Sequence, residues 1–123
     1  GQWVVCDRFL DSSRAYQGLA GDLGDDLVRA LHDRGSEGLL PDLTMVITAD
    51  AETIASRLAA RDGDASDAIG GRNSSYHARV NAAFVRFAEA EPDRFVVVDG
   101  LGAPDEVAER VWQAVSPLLE GGA

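Results

Sequence analysis

The chain has 123 residues, 46% hydrophobic and 26% charged, the balance of a folded globular domain and not of a disordered or fibrous chain. Twenty-one acidic against eleven basic residues give a formal net charge of −10, which argues against a protein-wide attraction to nucleic acid or an anionic membrane. No apolar run approaches the roughly 20 residues of a membrane-spanning helix. The single cysteine, Cys6, leaves nothing that requires an oxidising compartment, so a cytoplasmic location is expected. All eleven bases are arginine. Without lysine these residues hold neither a Walker A loop, whose lysine reaches the outer phosphates of a nucleotide, nor a Schiff-base centre.

In chain order, Trp3-Val4-Val5-Cys6 is the first of three nearly continuous apolar or β-branched runs, a pattern that predicts strands buried on both faces. Leu27, Val28 and Leu31 recur at helical spacing, and Leu43–Ile47 is the second strand run. Asp50 is placed to cap a helix from Ala51 through Ile54 and Leu58. Residues 61–73, RDGDASDAIGGRN, lack apolar periodicity and read as a lid-like loop. Asn73 or Ser74 can cap the next helix, whose apolar positions are Val80, Phe84, Phe87 and Ala88. Phe95–Val98 is the third strand run, and Asp99 before Gly100 is a turn former. Pro104 suits the first position of a last helix carrying Val107, Val111, Val115 and Leu118. Strands alternating with helices imply an α/β domain with a parallel sheet, and one domain is expected. Trp3 and Trp112 read as packing residues and Cys6 as a small core residue. His32 and His77, far apart and without cysteine partners, show no metal-ligand spacing.

Ligands of open α/β sheets collect at the carboxyl ends of strands. Here those positions hold Asp7-Arg8, Asp50 and Asp99. Arg8 can fork two hydrogen bonds onto a phosphate, and Asp7 can accept from a substrate hydroxyl or a metal-bound water. The same pair also reads as a capping aspartate with a surface ion pair.

Residues 7–18, Asp7-Arg8-Phe9-Leu10-Asp11-Ser12-Ser13-Arg14-Ala15-Tyr16-Gln17-Gly18, resemble the substrate-binding signature DR[YF]xxSxxAYQG of thymidylate kinases. Leu40-Pro41-Asp42-Leu43-Thr44 is similar to the PDLT entry to a strand in that family. Arg57 and Arg61 match its arginines running into the lid, and Tyr76-His77-Ala78-Arg79-Val80 is similar to its F-H-x-R-V helix.

The resemblance implies a P-loop NTPase-like fold of the nucleoside monophosphate kinase type, a three-layer α/β/α parallel sheet. It also implies transfer of the terminal phosphoryl of ATP, with Mg2+, to thymidine 5′-monophosphate (dTMP), and a homodimer to which Leu27, Val28 and Leu31 contribute. Carried over by position, Arg8 grips the dTMP phosphate and Asp7 helps position phosphates and Mg2+. Ser13 lies near the base, Tyr16 presses on the sugar and disfavours a ribose 2′-hydroxyl, and Gln17 supports that pocket. Arg57 and Arg61 belong to the ATP side, with Asp7, Arg8 and Arg61 as the catalytic set, and Arg72 is a further ATP-side candidate in place of a lid arginine that the family has and this chain lacks. Taken alone, Tyr16 also reads as a packed aromatic, and Arg57 with Arg61 as a solvated i,i+4 helix edge.

Family members begin with a strand and phosphate-binding loop that these residues do not contain. The likeness starts at what would be the third strand, so N-terminal strands are missing and the chain is expected to be a C-terminal part. The absent first strand would lie between the runs at 3–6 and 43–47, leaving apolar faces and edges open. The lid has Asp67-Ala68-Ile69 where the family shows Asp-Arg-Ile. Two other readings stand beside the kinase: a non-catalytic nucleotide-binding remnant, and a related nucleotide kinase with another base preference.

Overall fold

A computed structural model describes residues 1–62 and 74–121. They pack as two compact units, residues 1–44 with 74–94, and 45–62 with 95–121.

In the first unit, α1 (Leu10–Ser13) runs directly into a π-helical turn, Arg14–Leu19. π-Helical segments are rare and concentrate at functional sites. The wider winding shifts backbone bonding to the fifth residue, and the Ala20 N–H donates to the Ala15 carbonyl at 3.0 Å. The chain then reverses at Gly24, whose φ of 88° is left-handed and suits glycine. Its N–H donates to the Gly18 carbonyl at 2.8 Å, and α2 (Asp25–Gly35) follows. The fourth helix, α4 (Ser74–Ala90), buries Val80, Ala83 and Phe87, a stripe at helical spacing. With Leu10, Ala15, Ala20 and Val28 they form this unit's core. Burying a side chain such as Phe87 stabilises by about 1.5–3 kcal/mol. Ala83, and not the expected Phe84, lies deepest beside Val80, while Phe84 meets Phe87 edge to face at 6.2 Å.

The second unit holds β1 (Thr44–Thr48), α3 (Ala51–Asp62), β2 (Phe95–Asp99) and α5 (Pro104–Gly121). Thr44, the first residue of β1, packs with the first unit. The strands pair in parallel: the Thr44 N–H donates to the Arg94 carbonyl at 2.8 Å, and the Gly100 N–H to the Thr48 carbonyl at 2.7 Å. Both strands begin within one residue of their expected positions. Asp50 caps α3 as expected, its Oδ1 accepting the Thr53 N–H at 2.7 Å. Asp99 turns the chain by accepting the Leu101 N–H at 2.9 Å, and Pro104 opens α5. The start of α5 has a further lock, Glu106 Oε2 accepting the Ala103 N–H at 2.7 Å in the manner of a capping box. Phe95 and Val98 are this unit's buried core, and no residue of α5 is fully buried.

The run at 3–6 departs from its expectation. Among the described residues the sheet contains only β1 and β2. Trp3–Cys6 forms no strand, and Trp3, Val4 and Val5 are 60%, 84% and 95% exposed. A strand exists only through a neighbour that accepts its backbone bonds, which an apolar composition cannot supply. Cys6 is accordingly exposed, not a core residue, and Trp3 and Trp112 do not pack inside. On α2, Val28 is buried but Leu27 and Leu31 face solvent. Ser74 is the first residue of α4, while the alternative cap Asn73 and the rest of the lid-like loop, residues 63–73 with Ala68 and Arg72, lie outside the described residues.

A close approach fixes Gly100: a Cβ there would stand 2.6 Å from the Thr48 carbonyl oxygen, a backbone atom that cannot swing away. Gly100→Ala is therefore expected to destabilise the chain by about 1–3 kcal/mol, read as a lower urea midpoint at unchanged slope. An unchanged midpoint would show that the strand pair accommodates the methyl group.

Candidate functional site

Two arginines and three acids knit the first unit together. Arg14 is buried and meets Asp25 as a fork, Nε to Oδ1 at 2.7 Å and Nη2 to Oδ2 at 2.9 Å. Its Nη1 donates to Asp11 Oδ1 and Glu91 Oε2, each at 3.0 Å, and its guanidinium lies 4.0 Å from the Phe87 ring centre. Arg94 forks onto Asp11, Nη1 to Oδ2 at 2.8 Å and Nη2 to Oδ1 at 2.9 Å, and reaches Glu91 Oε1 at 3.1 Å. The Thr44 hydroxyl donates to Asp11 Oδ2 at 2.7 Å. Among the described residues no buried side-chain polar atom lacks a partner, the condition under which a buried ionic cluster is tolerated.

Burial pushes the Asp11 carboxyl up, but hydrogen bonds from Arg94, Thr44 and Arg14 and the charge of Arg94 outweigh it and hold the group below 3.8, the ordinary aspartate value. The Arg14 hydrogen bond does the same for Asp25. Burial works against the Arg14 cation, yet its bonds to Asp25, Glu91 and Asp11 hold it protonated above its ordinary range.

Upon this support stands the segment singled out by sequence. Asp7 and Arg8 form an exposed bend, and Arg8 has a φ of 64°, a left-handed conformation that costs a residue with a Cβ about 1 kcal/mol. Its guanidinium lies over the Tyr16 ring, 5.1 Å from the centre, a cation–π arrangement. The Tyr76 hydroxyl donates to the Tyr16 carbonyl at 3.1 Å, and the two rings stand 6.2 Å apart. Arg79, one turn further along α4, donates to the Leu19 carbonyl at 2.9 Å and pairs with Asp22 at 2.6 Å. So α4 grips the π turn from Tyr16 to its end. Ser13, half-buried, ends α1, and Gln17 is exposed on the turn. His32 meets Phe9 edge to face at 5.6 Å, and His77 meets Tyr76 likewise at 5.9 Å.

The other candidates belong to the second unit. Arg57, on α3, donates to the Gly100 carbonyl at 2.8 Å, and Arg61 is exposed in the last turn of that helix. Arg110 gathers the Asp99 and Leu101 carbonyls at 2.8 and 2.5 Å. Among the described residues no group of three or more His, Cys, Asp or Glu could hold a metal ion, and no helix is long and apolar enough to cross a membrane.

A family model described as thymidylate kinase matches residues 1–111. The chain belongs to the thymidylate kinase family. It is 44% identical to the thymidylate kinase of Rhizorhabdus wittichii over 97% of its own length and 57% of that protein. The corresponding enzyme of Rhodopseudomonas palustris is 40% identical over 94% of this chain and 50% of its own. That of Solidesulfovibrio magneticus is 39% identical over 97% and 59%. The chain thus spans about half the length of these curated relatives. Family membership implies a P-loop NTPase fold, with which the parallel strand pair and its flanking helices agree.

Sequence reasoning singled out Arg8 and Tyr16 but missed what holds them. The one local signal was Asp11 and Arg14 at i,i+3, a charged pair inside an otherwise uncharged stretch. Glu91 and Arg94, 77 residues beyond Arg14 and 83 beyond Asp11, could be joined to that pair only by the fold.

A carboxyl held below its unfolded value contributes stability that is complete above that value and lost as pH falls through the folded one. For Asp11 and Asp25, stability is therefore expected to fall as pH drops towards and below 3.8. Urea titrations between pH 7 and 3 should show Asp25→Asn less stable than wild type at pH 7, with the two curves converging in acid. A constant gap across that range would mean that the Arg14–Asp25 pair does not set the acid limit.

Proposed function

We propose that the chain supplies the monophosphate side of a thymidylate kinase, which transfers the terminal phosphoryl of ATP to dTMP to give the diphosphate, within a three-layer α/β/α fold. The observation that carries this reading is Arg8, stacked on Tyr16 at 5.1 Å and facing solvent on a segment that fits the family's signature. Stacking holds the guanidinium plane while leaving its N–H edge for a phosphate, the geometry in which arginine binds two oxygens at once. Tyr16 stands next to that phosphate position as a wall for the sugar, where a ribose 2′-hydroxyl would be crowded. Ser13 and Gln17 flank it on the same segment.

Phosphoryl transfer needs positioning and charge stabilisation more than covalent chemistry, and arginine with Mg2+ supplies both. Mg2+ keeps much of its water and binds through one or two carboxylates and the nucleotide phosphates. Asp7, exposed beside Arg8, suits a contact to it through water. Arg57 and Arg61 are assigned to the ATP side on sequence likeness, and Arg72 in place of the lid arginine that Ala68 replaces. The lysine-free composition leaves the cradle for the outer ATP phosphates without its usual cation within these residues. Leu23, Leu27 and Leu31 stand exposed at the approach to and along α2 and are assigned to a homodimer face in a cytoplasmic enzyme.

Calorimetric titration with dTMP tests the site, and dTMP-dependent release of ADP from ATP and Mg2+ tests the reaction. Arg8→Ala is expected to weaken dTMP binding by about tenfold to a hundredfold, the 1.5–3 kcal/mol of a hydrogen bond to a charged group, while thymidine, which lacks the phosphate, binds as before. Equal loss for both ligands would remove Arg8 from the phosphate, and failure of the wild-type chain to bind dTMP would overturn the site.

A further inference from the structure

Arg8 and Tyr16 stand where they do only if the turn that carries Tyr16 is held in place, and Arg14 is the first residue of that turn. Its side chain is 5% exposed, so it does not itself meet a ligand from solvent. Its guanidinium instead meets Asp11 in α1, Asp25 at the start of α2, Glu91 just beyond α4, and the Phe87 face. Four residues from three segments converge on one planar group. Two residues later, Tyr76 on α4 holds the Tyr16 carbonyl, so the turn is fastened to α4 at both Arg14 and Tyr16.

We propose that Arg14 is a positioning residue for the monophosphate site: it locks the π turn to α2 and α4, and thereby places the Tyr16 ring and the Arg8 guanidinium stacked on it. This rests on the reading of Arg8 and Tyr16 as that site. The shape of the guanidinium matters as much as its charge, because the fork onto Asp25 and the bonds to Asp11 and Glu91 use separate N–H groups in one plane. A lysine ammonium keeps the charge and cannot reproduce that plane. Loosening the turn displaces Tyr16 from the sugar as well as Arg8 from the phosphate, so selectivity and affinity change together.

The test compares wild type with Arg14→Lys in the full chain, using circular dichroism, thermal melting and calorimetric titration with dTMP and with its ribose counterpart, ribothymidine 5′-monophosphate. Folded Arg14→Lys is expected to bind dTMP about tenfold more weakly, the scale of a small misplacement of positioned groups, with a narrower preference for the deoxy sugar. A residue serving stability alone would lower the melting temperature and leave the affinity and sugar preference of the folded protein intact. That result overturns the proposal. If Arg14→Lys does not fold, Glu91→Gln carries the test, since Glu91 is 30% exposed and only one of three acids on Arg14; a change of about threefold in the same direction is expected, and none overturns the proposal. Arg8→Ala separates the two levels. Loss of dTMP binding in Arg8→Ala with no change in folded Arg14→Lys leaves the site standing and removes the positioning role, whereas a wild-type chain that does not bind dTMP removes both.

Discussion

Everything in the first unit depends on two planar cations sharing two carboxylates. Asp11 and Glu91 each bridge Arg14 and Arg94, and Asp25 closes the set. An isolated buried ion pair rarely offsets the cost of stripping water from two charges, and its replacement by apolar groups is often neutral or better. This cluster differs in that both arginines lie flat against paired acceptors, every buried polar side-chain atom among the described residues is satisfied, and Phe87 covers one face of Arg14. It also does what an apolar core cannot. Leu10, Ala15 and Val28 exclude water in many relative arrangements, whereas a fork has one geometry and fixes a register.

That register matters because the π turn has little else to define it. Six residues wound more widely than an α-helix give up regular backbone bonding, and the compensation here comes from outside: Tyr76 on the Tyr16 carbonyl, Arg79 on Leu19, and the N–H groups of Leu23 and Gly24 on Gln17 and Gly18. Tyr16, on this turn, lies beneath Arg8. The left-handed backbone at Arg8 is a local cost carried by the surrounding packing, a pattern that recurs where a residue is held for a ligand.

Much of the second unit was legible in the sequence because its determinants are local. The runs at 43–47 and 95–98 appear as β1 and β2, and Asp50, Asp99 and Pro104 do what their positions suggest. Each is a matter of a few neighbouring residues. The run at 3–6 shows the limit, since composition records the surroundings a strand is suited to, while pairing requires another strand to be there. On α2 the spacing of Leu27, Val28 and Leu31 foretold the helix and which residues share a face, but not how much of that face is covered. Of the site, Arg8 and Tyr16 were legible through a motif. The π turn was not, because nothing in Arg14–Leu19 distinguishes wide from ordinary winding, and Arg94 was not, because its partner lies 83 residues away.

A chain of net charge −10 is an unpromising receptor for a phosphate monoester if only the total is considered. The total is the wrong quantity at contact distance. At physiological salt the screening length is about 8 Å, so carboxylates spread over the surface act weakly on a phosphate already touching a guanidinium. Several of the acids are, moreover, spent on the interior: Asp11, Asp25 and Glu91 neutralise Arg14 and Arg94, while Arg8 is stacked on an uncharged ring. The fold thus sets Arg14 and Arg94, held among carboxylates, apart from Arg8, which is exposed and rests on a neutral ring.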